Sequence, residues 1–239
     1  APTLAPFAQL DLGLTHGEVG LFNSALMAGS LVMMPLSGWV VDVKGERAAL
    51  IGGNLLCGLF CFAMLATSGF AAALAVLFLA GAGGAFPTPA GSKTVMGWFP
   101  PALRGTAMGI RQTGIPLGGA LAAAVLPVIA LTAGWRVALA VGGVGCVLAA
   151  LACTFAYRNP PAAGSGGAEA RASPPVPQAR RHIVTLGVAG GLLTLGQFTL
   201  ITYLAIFLRD TQHIPVAVSA SLLVGAQLAG AAGRILWGW

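Results

Sequence analysis

From Ala48 to Ser92 the chain carries no ionised side chain for 45 consecutive residues. As one straight helix that run would reach roughly 68 Å, more than twice the hydrocarbon thickness of about 30 Å that a bilayer presents. An apolar stretch of this length has to fold back on itself, and Thr67-Ser68-Gly69 supplies a small, polar turn near its middle. The run therefore reads as a hairpin of two membrane-crossing helices.

The rest of the chain follows the same pattern. It is 57% hydrophobic and 8% charged, with a mean hydropathy of +0.88, whereas soluble domains carry about 25% charged residues. Further uncharged stretches at 19–41, 112–135, 137–157, 183–208 and 211–233 are each long enough to cross. They predict helices near 18–41, 48–68, 70–92, 105–128, 135–157, 183–208 and 217–239 after a remnant at 1–10, an all-α polytopic membrane bundle. A net charge of +6 would suit nucleic acid in a soluble protein, but here the charges lie between apolar spans and form no groove-reading face. The partners expected are the lipid bilayer and a small solute, not nucleic acid. No signal peptide with its charged, apolar and cleavage regions opens the chain, and the start reads as truncated.

Orientation follows from Lys and Arg. Lys44, Arg47, Lys93, Arg104, Arg111, Arg158, Arg171, Arg180, Arg181 and Arg234 fall on one side, and Arg136 and Arg209 on the other, so the first side is expected in the cytoplasm of a bacterial inner membrane. The Pro- and Gly-rich stretch Arg158 to Arg181 cannot bury a core. It predicts a cytoplasmic linker at 158–181 between an N-terminal bundle at 1–157 and the start of a second bundle at 182–239. Arg180 and Arg181 should meet anionic headgroups at about 1 kcal/mol per charge.

Small residues recur at helix-packing spacing in Gly105-x3-Gly109, Gly114-x3-Gly118 and Gly187-x3-Gly191. Pro35, Pro87, Pro89, Pro116 and Pro127 lie within or near span ends, where they kink helices or free carbonyls, for static packing or for bending during gating.

The sharpest local pattern is PLSGWVVDVKGERAAL, between the first two complete spans. Gly38 lets helices approach, Asp42 puts an acid at a helix end, Gly45 permits a tight turn, and Arg47 stays on the basic side. This resembles the loop pattern G-x-x-x-D-R-x-G-R-R of the major facilitator superfamily, with departures at Val43 and Glu46, where the family usually has Arg. The passage WFPPALRGTAMGIRQTGIPLGGALAAAVLP (98–127) is similar to the family's fourth-to-fifth helix region, AGWR (133–136) to its outer loop before helix six, and GRILWGW (233–239) to the approach to a second copy of the loop. The resemblance implies two six-helix halves working by alternating access, with this chain running from late helix one to the end of helix eight. It also implies that Gly38, Asp42, Gly45 and Arg47 govern conformational switching.

Two further family patterns are altered. Leu77 stands where proton-coupled exporters carry Arg ahead of Gly81 and Gly83, and Gly114-Ile115-Pro116-Leu117-Gly118-Gly119 displaces the proline of the antiporter pattern by one. Of six acids, Asp11, Glu18 and Asp210 are expected at the outer edge and Asp42, Glu46 and Glu169 in the cytoplasm, leaving none in mid-span for a proton relay.

Arg111 is the intramembrane charge. It either snorkels to the headgroups or holds an anion in the cavity with help from Gln112 and Thr113; for Lys93, nearer its helix end, snorkelling is preferred. In the family helix seven lines the substrate cavity, so the resemblance implies that Gln197 and Tyr203 contact substrate, against the alternative of interhelical hydrogen bonds. Cys57, Cys61, Cys146 and Cys153 lie inside spans and read as small apolar packing, with no His among them; His16, His182 and His213 sit at interfaces. No metal or other cofactor is expected.

The function expected is transport of a small solute, preferably an organic or inorganic anion, with a coupling ion of unknown identity. Proton-coupled export of a drug or metabolite is the alternative within the family, and a seven-helix sensor or receptor the alternative outside it. An intramembrane enzyme would need a nucleophile with a buried base or an acid pair, and no GxSG or GxGD string occurs.

Overall fold

A computed structural model of the chain describes residues 4–159 and, beyond them, 181–182, 184–196, 225, 228–230, 232–234 and 236. The chain divides into two compact units near residue 161. The first unit holds the helices α1 (Ala5–Leu12), α2 (His16–Ala63), α3 (Phe70–Gly84), α4 (Pro87–Trp98), α5 (Pro101–Ala133) and α6 (Trp135–Ala156), with a 3-10 turn at Met64–Ala66 before α3. Four stretches among the described residues are long and apolar enough to cross a membrane: Gly17–Ala66, Phe70–Trp98, Pro101–Ala133 and Trp135–Ala156. The first is 50 residues long, roughly 75 Å of helix, and so has the length for two crossings.

The start of α2 is fixed by a reciprocal cap. The Glu18 N–H donates to Thr15 Oγ1 at 3.3 Å, and the Thr15 N–H donates to Glu18 Oε2 at 2.8 Å, satisfying two donors that the first turn would otherwise orphan. Helical hydrogen bonding carries α2 past Pro35 without a break, and its one non-helical residue is Gly45, at φ 84° and ψ 168°. That left-handed-side backbone suits glycine, and it splits α2 into arms at 16–44 and 46–63.

The span expected at 70–92 is present as one apolar stretch, Phe70–Trp98, built of two helices. Pro87 and Pro89 lack N–H groups, so the ladder fails after Gly84 and restarts at Pro87. By contrast α5 runs unbroken through Pro116 and Pro127 for 33 residues, longer than the expected 105–128.

Packing centres on α2, which lies against α3, α4 and α6, while α5 lies against α4 and α6. The α2–α3 seam is nearly backbone on backbone. A methyl at Gly29 would collide with the Phe78 carbonyl, and one at Gly81 with the Leu26 carbonyl; Ser30 Oγ reaches across to donate to the Gly81 carbonyl at 2.8 Å. On the α6 side Gly58 and Gly143 meet, bringing Cys57 and Cys146 sulfurs to 3.7 Å as free thiols. These glycines, on facing helices, make the close approaches. Gly114, Gly118, Gly187 and Gly191, expected to do so, have nothing within 4 Å of a built Cβ among the described residues.

Two buried clusters result among the described residues. One joins Phe22, Met64, Leu77 and Trp135, with the Phe22 and Phe70 rings stacked 5.5 Å apart. The other, Val41, Ala49 and Ala90, sits beneath the Gly45 bend. Large apolar side chains such as Leu31 and Phe155 remain 75% and 85% exposed, a surface suited to lipid and costly in water.

Candidate functional site

The bend at Gly45 is held by α6. Asn159, just past that helix, accepts from the Arg47 N–H at 2.9 Å, and its Nδ2 would stand 2.9 Å from a Cβ at Gly45, so the bend requires glycine for space as well as for φ. The Arg47 guanidinium donates to the Thr154 carbonyl. Gly38, expected to let helices approach, has no described atom within 4 Å of a built Cβ.

Lys93 reaches into the same bend from α4. Its Nζ donates to the Val41 carbonyl at 3.1 Å and to Asp42 Oδ1 at 3.0 Å, and lies 3.8 Å from Glu46 Oε1. Lys93, expected to snorkel, is paired with Asp42, and Glu46, expected in the cytoplasm, is buried at 5% exposure. An acid at position 46, where the resembling pattern has a cation, needs a cation nearby to be buried, and that departure was the available signal for Lys93.

Arg111 closes the other end of α4. One of its terminal nitrogens donates to the carbonyls of Pro87 at 2.9 Å and Thr88 at 3.1 Å, and the other to the Met108 sulfur at 3.3 Å. The guanidinium packs against α4 at Gly91, where a Cβ would collide with it. It lines a cavity of about 710 Å³ between α4 and α5, together with Gln112, Thr94, Thr106 and Tyr157. Tyr157 OH and Thr94 Oγ1 are 2.7 Å apart, and Thr94 also donates to the Ala90 carbonyl at 2.9 Å. Thr113 is occupied with the Ile110 carbonyl. Gln197 and Tyr203 lie outside the described residues.

A third cluster, unanticipated as a unit, joins α1 to α6. Asp11 Oδ2 accepts from Trp135 Nε1 at 3.0 Å and from Arg136, whose guanidinium carbon stacks 4.7 Å over the Trp135 ring. The indole bond first, and then the guanidinium, hold the Asp11 carboxyl below the usual carboxylate range. That Asp11 and Arg136 share one edge was readable from sequence; their pairing needed α1 to fold against α6.

A unit of long apolar helices with a glycine-bent basic turn and a cavity walled by α4 and α5 fits a polytopic membrane protein. The family model of the Major Facilitator Superfamily matches residues 1–239, and the chain belongs to that superfamily of transporters, which are not enzymes. An uncharacterised MFS-type transporter of Mycobacterium tuberculosis is 31% identical over 98% of this chain and 53% of its own length. The probable sulfoacetate transporter SauU of Cupriavidus necator is 34% identical over 66% of this chain and 36% of its own length. The hexuronate transporter of Bacillus subtilis is 32% identical over 56% of this chain and 32% of its own length. The chain thus spans about half the length, or less, of these relatives.

Proposed function

We propose that this protein carries a small organic anion across a bacterial inner membrane by alternating access, and that Arg111 and Gln112 contact that anion. The observation that carries this reading is the unfinished coordination of Arg111. A guanidinium offers five N–H donors, and among the described residues it meets two backbone carbonyls and a thioether, a weak acceptor. A carboxylate or sulfonate takes such a fork in two parallel, charge-assisted bonds. Two relatives are named as transporters of sulfoacetate and of hexuronate, both anions, which supports the same class.

In this reading Gly38, Asp42, Gly45 and Arg47 form the element that switches between inward- and outward-open states. Gln197 and Tyr203 are proposed as further substrate contacts, and the segment 158–181 is proposed to lie in the cytoplasm. The test is a thermal-shift screen of carboxylates and sulfonates on the intact protein, since a ligand that binds the folded state raises its melting temperature. Arg111→Lys should weaken the shift and Arg111→Gln abolish it, because a point charge cannot replace a planar fork. Equal shifts in wild type and both variants would overturn the anion reading.

A further inference from the structure

We propose that the anion taken at Arg111 has an apolar body, as an aryl- or alkyl-carboxylate has, and is not a polyhydroxylated acid. This rests on the anion reading above and adds the chemistry of everything in the ligand except its charge. Away from the guanidinium the cavity is walled by Leu50, Val95, Phe99, Leu103, Ile110 and Ile115. The wall hydroxyls are already engaged. Thr94 gives its proton to the Ala90 carbonyl and stands as acceptor to Tyr157, whose own proton is thereby used, and Thr106 has a partner as well.

Among the described residues that leaves the Gln112 amide as the remaining polar group of the wall. At this wall a sugar acid would have to shed water from several hydroxyls and find one amide in exchange. Each hydroxyl left without a partner in an apolar site costs binding free energy, whereas a phenyl ring or an alkyl chain gains from the same wall. The volume, about 710 Å³, is ample for a ring and a short carboxylate arm.

The experiment measures equilibrium binding to the intact protein in nanodiscs with three probes: 3-phenylpropionate, its neutral amide 3-phenylpropanamide, and galacturonate. The expected order is 3-phenylpropionate at least tenfold tighter than galacturonate and at least tenfold tighter than the amide, with Arg111→Gln removing the preference for acid over amide. Leu103→Asn, which adds a polar group to the wall and leaves the charge in place, should narrow the gap between 3-phenylpropionate and galacturonate. A second wall variant, Ile110→Thr, guards against misfolding of the first and should act in the same direction. Galacturonate binding as tightly as 3-phenylpropionate, with both lost in Arg111→Gln, would overturn the apolar-body inference and leave the anion reading intact. Amide binding as tightly as acid, or no binding by either acid, would overturn both.

Discussion

Lys93 Nζ stands 3.8 Å from the buried Glu46 carboxylate, across the seam between α4 and the bend of α2. The pair is a local solution to a local change: position 46 is acidic here, and Lys93 is 31% exposed against 7% for the Glu46 side chain. The cation keeps some hydration while serving a carboxylate that has almost none.

Reversing one member should therefore hurt and reversing both should restore. Glu46→Lys leaves two ammonium groups facing each other beneath Asp42, and Lys93→Glu gathers three carboxylates. We expect each to destabilise by about 1–3 kcal/mol and the double swap to recover at least half, the size of coupling usual for residues in contact. A double-mutant cycle on thermal unfolding in detergent reads it, and additive losses would show that the pair is uncoupled.

Crowding the α2–α3 seam should be equally costly. Gly29→Ala or Gly81→Ala drives a methyl into a carbonyl of the facing helix, and overpacking of this kind costs about 1–3 kcal/mol. Gly20→Ala, with nothing within 4 Å, is the control and should unfold at or above the wild-type temperature. If all three unfold together, the seam is looser than described.

The Asp11 latch should depend on acidity in one direction. The folded carboxyl titrates below its ordinary value of 3.8, so its contribution is fully present above that pH and is lost as pH falls through the folded value. Trp135 fluorescence should accordingly change only below about pH 4, and Asp11→Asn should remove that transition. A wild-type transition near neutrality that persists in Asp11→Asn would assign the titration elsewhere.

Asp42 belongs to the bend and lies apart from the cavity wall. Asp42→Asn should slow uptake by reconstituted vesicles about tenfold or more while leaving equilibrium affinity within about twofold, a split expected when the state change is impaired and the site is intact. A large loss of affinity in the purified variant would place Asp42 in binding.

Much of this was legible before any coordinates. Uncharged runs fix membrane helices because unsatisfied backbone and charge are so costly in lipid, and Thr67-Ser68-Gly69 falls between the 3-10 turn and α3. What was not legible depends on partners distant in sequence. Gly29 and Gly81 show no spacing between them, since the contact joins separate helices, whereas Gly114-x3-Gly118 has the spacing and no described neighbour. Five prolines looked alike as kinks, yet the two that fall close together, Pro87 and Pro89, mark the break. The partners of Arg111 were hidden because backbone carbonyls leave no mark in a sequence.

Those carbonyls change what affinity means at the cavity. A ligand that claims the Arg111 nitrogen now facing Pro87 and Thr88 does not add bonds to an idle group; it enters an exchange in which two amide dipoles are the competing ligands. Its dissociation constant then compares two occupied forms of one guanidinium, and it depends on how firmly these carbonyls of α4 hold the α5 side chain.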